Sequence, residues 1–272
     1  METLKKHLPE YLMEAALLGL FMISAGVFTI LFEYPNSPAH QAIANGDIRR
    51  FLIGIAMGTT AIALVYSPWG KQSGAHMNPA VTLTFYRLGK VRSLDAFFYV
   101  LFQALGGLIG VYLVALIFNQ LFTQPPVNYI VTVPGRVGWM GALVGELLIA
   151  FIMMMTVLLT SNNPQLSAHT GLFSGCLVML YVTFEAPFSG FGMNPARSFA
   201  SALPSQIWTA FWLYLIVPPM GMGLAAELYQ SLFGARAVKC AKLHHDKHKR
   251  CIFRCSYNNC DGTTELSDRL PI

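Results

Sequence analysis

Six long apolar runs dominate the chain, at about 11–33, 50–66, 95–122, 139–160, 171–188 and 206–233. A run of roughly 20 apolar residues crosses the ~30 Å hydrocarbon core of a bilayer as a helix. No water satisfies backbone N–H and C=O groups inside lipid, so only helices and closed barrels persist there, and runs this long are helical. Breaker-rich segments separate them, among them Tyr34-Pro35-Asn36-Ser37-Pro38, Ser67-Pro68-Trp69-Gly70-Lys71, Thr123-Gln124-Pro125-Pro126 and Ser161-Asn162-Asn163-Pro164. Only 11% of residues are charged and 54% are hydrophobic, against about 25% charged in a soluble domain. That leaves too little polar surface for a water-facing globule and excludes intrinsic disorder. The expected class is an all-α membrane protein with six transmembrane helices. Small residues recur inside the runs, as in Gly54 and Gly58, Gly106, Gly107 and Gly110, and Gly221 and Gly223. These predict close helix packing.

The chain also repeats itself. Met77-Asn78-Pro79-Ala80 returns as Met193-Asn194-Pro195-Ala196, 116 positions later. Glu14, in a run of small and apolar residues, has a counterpart in Glu146, and Asn78 and Asn194 precede Gln103 and Pro219 by 25 residues each. Each half therefore holds three spans and one short Asn-Pro-Ala segment. Three is odd, so the halves run with opposite topology, the inverted-repeat pattern of membrane transport proteins. The expected layout is an N-terminal segment 1–9, a membrane domain 10–234 with repeats at about 10–122 and 138–234, and a basic tail 235–272.

Proline is favoured at the first position of a helix, and asparagine before it is a good N-cap. Segments 78–86 and 194–202 therefore read as helix starts. Each run of about nine residues spans roughly 13 Å, about half the hydrocarbon core. Two such half-helices entering from opposite faces aim their N-termini at one point near the midplane. A helix N-terminus carries about half a positive charge. Two of them, with Arg197 added, repel cations and hydronium. The Asn78 and Asn194 amides donate hydrogen bonds to a passing oxygen, and a water that donates no proton onward there breaks a proton wire. The spot suits neutral molecules carrying an acceptor oxygen.

Gly74-Ala75-His76-Met77-Asn78-Pro79-Ala80-Val81-Thr82 and Gly192-Met193-Asn194-Pro195-Ala196-Arg197-Ser198 resemble the paired signatures of the aquaporin, or major intrinsic protein, family. The resemblance covers about residues 10–234. It implies a six-helix bundle with two re-entrant half-helices, assembled as a homotetramer with one pore per protomer. It also implies that Glu14 and Glu146 brace the re-entrant loops. A carboxylate in an apolar span is too costly to be incidental.

The resemblance further implies a constriction in which Arg197 is the fixed cation, Phe191 the third filter position and Val182 the fifth-span position. Met57 takes the second-span position, with Gly58 or Ile53 as alternative alignments. Water-specific members usually carry His where Val182 stands and a small residue or Cys where Phe191 stands. An apolar wall opposite an arginine suits a solute with carbon on one side and hydroxyls on the other, and Phe191 resembles the glycerol-conducting branch. Ser198, where that branch has Asp, points the other way. The expected function is a channel for water and small neutral solutes, with a strict water channel as the alternative. A coupled secondary transporter would need titratable groups along its path, and an adhesive membrane protein would need flat outer loops, for which only 123–138 is a candidate.

Basic residues set the orientation. Lys5, Lys6, Lys71, Arg87, Lys90, Arg92 and eight more in the tail make 14 of 18 on the side of the termini, which predicts cytoplasmic ends in a multi-pass cell-membrane protein. The tail's positive charge lies beside a span and needs no nucleic acid to explain it. His76 reads as a hydrogen-bonded residue at the pore mouth, His169 as an interfacial residue, and Met153-Met154-Met155 as packing or lipid-facing surface. The tail carries Cys240, His244, His245, His248, Cys251, Cys255 and Cys260. Its cysteine spacing from Cys251 to Cys260 fits no tight zinc pattern, so it reads as a solvated, disordered tail without a metal. No catalytic or cofactor-binding motif is present.

Overall fold

The computed structural model describes residues 2–257 except Ala235; Cys260 lies outside the described residues. Six helices are long and apolar enough to span a membrane: α1 (Glu2–Glu33), α2 (Gly46–Tyr66), α4 (Ser93–Phe118), α5 (Gly138–Ser161), α6 (Ser167–Ser189) and α8 (Phe211–Phe233). Two shorter helices follow the Asn-Pro pairs, α3 (Pro79–Arg87) and α7 (Pro195–Ser205). No strand occurs among the described residues. Residues 1–9, expected to precede the membrane domain, are instead largely the first turns of α1 from Glu2 onward. Those turns are tied in by side chains, since His7 Nδ1 lies 2.7 Å from Asp95 Oδ1 and Tyr11 donates to the same oxygen at 2.6 Å.

The packing follows the internal repeat. Helix α1 lies along α4, and its counterpart α5 lies along α8, while α2 and α6 pack against each other across the centre. Each half-helix leans on the last span of the other repeat, α3 on α8 and α7 on α4, and α3 and α7 touch. The spans are apolar all round, so burial rather than amphipathicity separates inside from outside. Leu17, Leu18 and Met22 are buried, whereas Leu116 and Ile117 are 80% and 70% exposed on the outer face. That outer face is suited to lipid.

Glycine sets the closest crossings. A Cβ on Gly106 would meet the Ala15 carbonyl oxygen at 2.0 Å, and one on Gly58 would meet the Gly175 oxygen at 2.6 Å. Of the glycines flagged by the sequence, Gly223 faces open space and plays no such part. Overpacking costs about 1–3 kcal/mol where side chains can move aside. At Gly106 the obstacle is backbone, so the α1–α4 crossing must open. Gly106→Val is expected to abolish the monodisperse peak on size exclusion in detergent, while Gly223→Ala leaves it in place.

Candidate functional site

The two Asn-Pro-Ala segments meet at the centre of the bundle. Asn78 caps α3, its Oδ1 accepting the Ala80 N–H at 2.8 Å, with Pro79 as the first helical residue. Asn194 caps α7 in the same way, accepting from Ala196 at 3.1 Å and Arg197 at 3.2 Å, with Pro195 first in the helix. The caps are also cross-linked. Asn78 Nδ2 donates to the Met193 oxygen at 2.8 Å, and Asn194 Nδ2 donates to the Met77 oxygen at 2.7 Å. A primary amide has two hydrogens to donate. One of each is spent on the opposite loop, and one of each is left for a third partner.

The loops leading into these caps are strained in the same places. Ala75 and Met77 in the first, and Phe191 and Met193 in the second, have positive φ of 55°, 49°, 51° and 46°. For non-glycine residues such conformations cost about 1–3 kcal/mol each and persist only where surroundings over-determine them. Two buried carboxylates do so. Glu14 accepts from Ser73 Oγ (2.7 Å), His76 N (3.0 Å), Met77 N (2.6 Å) and Gln103 Nε2 (2.8 Å). Glu146 accepts from Ser189 Oγ (2.7 Å), Gly192 N (2.5 Å) and Met193 N (2.5 Å). Sequence reasoning missed four further braces. Ser73 and Ser189 accept the N–H groups of Ala75 and Phe191, and Tyr99 and Tyr214 donate to the Ser73 and Ser189 carbonyls at 2.7 and 2.5 Å. The serine pair was readable, being separated by the same 116 positions as the two motifs.

A cavity of about 100 Å³ runs past the meeting point, lined by Leu18, Phe21, Ala61, Val178 and other apolar side chains, with His76, Asn78, Asn194 and Arg197 as polar interruptions. A site needs about 10–15 Å³ of such space to hold a water, so the cavity admits water. Arg197 Nη1 is buried and has no protein acceptor among the described residues. Phe191 and Arg197 are among the residues lining this cavity, and Met57 and Val182 are not. Met57 is buried beside Ser24, and Val182 sits in a π-turn, Tyr181–Glu185, that interrupts α6. The second and sixth helices present Ala61, Val65, Ser174 and Val178 to the cavity instead. Met153 and Met154 are buried, and Met153 lines the cavity, so that run packs inward rather than toward lipid. His169 is exposed at the start of α6.

The model of the major intrinsic protein family matches residues 2–229. The chain belongs to that family. It is 34% identical to probable aquaporin TIP4-1 of Oryza sativa subsp. japonica over 76% of this chain and 84% of that one. To Aquaporin-4 of Mus musculus it is 32% identical over 67% of this chain and 56% of the relative. It is 34% identical to Aquaporin NIP1-4 of Oryza sativa subsp. japonica, with 65% of this chain and 63% of the relative covered. The fold is that of the aquaglyceroporin from Plasmodium falciparum, at a TM-score of 0.70 and 19% identity, covering 85% of this chain and 98% of that chain. The protein is thus a multi-pass membrane channel for water or small solutes, and not an enzyme.

The tail lies against the cavity. Leu243 lines the cavity, its N–H donates to the Gly74 oxygen at 3.1 Å, and the Ala241 oxygen accepts from His76 Nε2 at 2.7 Å. A carbonyl only accepts, so Nε2 carries hydrogen, while Nδ1 lies 3.0 Å from Thr82 Oγ1. The imidazole is held between the rings of Phe85 and Phe253, each 5.3 Å away. His76 is therefore hydrogen-bonded at the mouth as expected, but one of its partners is the tail. The reading of that tail as solvated and disordered does not hold for residues 236–257. Val238, Cys240, Ala241, Leu243, Ile252 and Phe253 are all buried against the bundle. Its basic composition hid these apolar positions.

Proposed function

We propose that the chain is a passive channel for water and small neutral solutes of the glycerol type, closed to protons and ions. The observation that carries this reading is the pair of Asn-capped half-helices whose N-termini converge on one cavity and whose amides are cross-linked. Each amide keeps one hydrogen for a passing oxygen. A water accepting from both asparagines has its own hydrogens turned away from that point, so it relays no proton. Arg197 Nη1 and the two half-helix N-termini add positive potential that opposes cations. Around them the wall is apolar, which accommodates the carbon face of a polyol while Arg197 takes a hydroxyl.

The strict water channel is the second reading. The polyol argument rested on both Phe191 and Val182, and only Phe191 lines the cavity. A coupled transporter is disfavoured because His76, the cavity's other titratable side chain, has both ring nitrogens engaged. We further infer a homotetramer in the cell membrane with both termini cytoplasmic, in line with the basic residues gathered on the tail side.

Stopped-flow light scattering on reconstituted vesicles tests the reading, with a sucrose step set against a glycerol step. Because the tail lies across one mouth, the full chain is compared with Leu243→Ala/Phe253→Ala, which loosens that contact. Shrinkage faster than in empty vesicles, followed by reswelling in glycerol, is expected. Shrinkage without reswelling selects the strict water channel, and no shrinkage in either chain overturns the channel reading. Arg197→Ala is expected to keep water flux and to raise proton leak under a pH gradient above that of empty vesicles.

A further inference from the structure

The tail gathers four ligand-type atoms outside the pore. The Sγ atoms of Cys240, Cys251 and Cys255 and a ring nitrogen of His245 all lie within 4.8 Å of one another. Cys240 Sγ is 3.7 Å from Cys251 Sγ, and Cys255 Sγ is 3.9 Å from His245 Nδ1. A tetrahedral zinc ion with Zn–S of about 2.3 Å and Zn–N of about 2.0–2.1 Å has S···S edges of about 3.8 Å and S···N edges of about 3.6 Å. Two of the six edges already have nearly those lengths, and none exceeds 4.8 Å.

The spacing supports the same assignment once the right residues are counted. Cys240-x4-His245-x5-Cys251-x3-Cys255 has the short intervals of structural zinc modules. Counting cysteines alone toward Cys260 concealed it. The surroundings fit as well. The His245 ring stacks on Tyr257 at 4.5 Å and 18°, and Tyr257 is fixed by its hydroxyl donating to the Ser161 oxygen at 2.8 Å. Lys242 is 1% exposed and donates to the carbonyls of Lys71 and Arg250 at 3.0 and 2.6 Å. Three thiolates, a neutral imidazole and a dication sum to one negative charge, which a buried ammonium balances. Residues 236–257 contain no helix or strand. An irregular segment that short holds one conformation when a metal staples it.

The positions between the ligands are those that meet the pore. Between Cys240 and His245, Ala241 contacts His76, and Leu243 contacts Gly74 and lines the cavity. Phe253, between Cys251 and Cys255, covers the His76 ring. We propose that Cys240, His245, Cys251 and Cys255 bind one tetrahedral Zn²⁺-class ion, and that the clasped segment shuts the tail-side mouth of the channel. Metal binding stands on the cluster alone; closure rests on the channel reading above.

The test uses the full-length protein, reduced and freed of metal, titrated with Zn²⁺ and with Co²⁺ as a spectroscopic probe. One equivalent per chain is expected, with thiolate-to-cobalt charge transfer and the visible bands of tetrahedral Co²⁺, and Cys251→Ser/Cys255→Ser loses both. In vesicles, stripping the metal with a permeant chelator is expected to raise water permeability about tenfold or more, and adding Zn²⁺ reverses it. No uptake by the reduced protein, or a Cys240–Cys251 disulfide as the sole stable form, overturns the site. Equal uptake by the double variant overturns the ligand assignment. Bound metal with unchanged permeability, where Leu243→Ala/Phe253→Ala conducts, overturns closure and leaves the channel reading intact. Impermeability of both chains overturns the channel reading, and closure with it, while the metal site stands.

Discussion

Glu146→Ala is expected to leave little folded protein in the membrane. Its carboxylate receives three hydrogen bonds, from Ser189 Oγ and from the N–H groups of Gly192 and Met193, at 2.5–2.7 Å in a fully buried site. Each buried donor left without an acceptor costs about 1–3 kcal/mol. Losing all three amounts to about 3–9 kcal/mol, a large part of the 5–15 kcal/mol that typically holds a fold. The loop also loses what keeps Phe191 and Met193 at positive φ, so the strain works against the native state as well. Glu146→Gln keeps one acceptor oxygen and is expected to fall between the wild type and the alanine variant. Glu14→Ala, with four donors stranded, should match or exceed Glu146→Ala. Glu227→Ala is the surface control. Its partner Arg87 is 2.9 Å away but both side chains are more than half exposed, so the change should lie within about 1 kcal/mol. Fluorescence-detected size exclusion after a thermal ramp in detergent ranks the four, and an unshifted melting point for both alanine variants would show that the carboxylates do not hold the loops.

The membrane domain was largely legible because lipid leaves the backbone so few choices. Six apolar runs became six spans, and Asn-Pro at 78–79 and 194–195 marked helix starts whose capping hydrogen bonds are present. Glu14 and Glu146 stood out because a carboxylate in an apolar run requires partners. Counting along a helix toward the cavity is the less legible step. Met57 and Val182 were placed by offset from the motifs, the short helix Pro68–Ser73 lies between Met57 and the first motif, and Val182 sits in the π-turn Tyr181–Glu185. The tail was illegible for another reason. Its four ligand-type residues come together only where an irregular segment docks on the bundle, and no periodicity announces a fold that depends on its docking surface. The use of the second Asn amide hydrogen was likewise hidden, since cross-links between loops 115 and 117 positions apart leave no local trace.

Leu243→Ala/Phe253→Ala is expected to raise water permeability more than any other substitution considered. The wild-type chain has Leu243 lining the cavity and Phe253 on the face of His76, and under the closure proposed above these side chains interrupt the path of water at the tail side. Both side chains are buried, Leu243 at 6% and Phe253 at 7% exposure. Truncating a buried leucine or phenylalanine costs about 2–5 kcal/mol, and every 1.4 kcal/mol changes an equilibrium tenfold. A docked tail that loses even about 3 kcal/mol shifts its open-to-closed ratio by more than a hundredfold. The observed gain is then limited by how open the double variant can become, and at least tenfold over wild type is expected. The ligands are untouched, so Co²⁺ uptake should persist while the pore conducts, which separates the apolar plug from the metal clasp. The ion pair of Arg250 with Glu10, at 3.8 Å, and the Arg250 donation to the Lys6 oxygen at 2.9 Å also hold the tail to α1. Arg250→Ala should therefore open the mouth too, but less, because the arginine is partly exposed and solvent replaces its bonds. Equal permeability of the wild type and the double variant would mean that water passes the tail without its moving, and the mouth is then a lined vestibule rather than a gate.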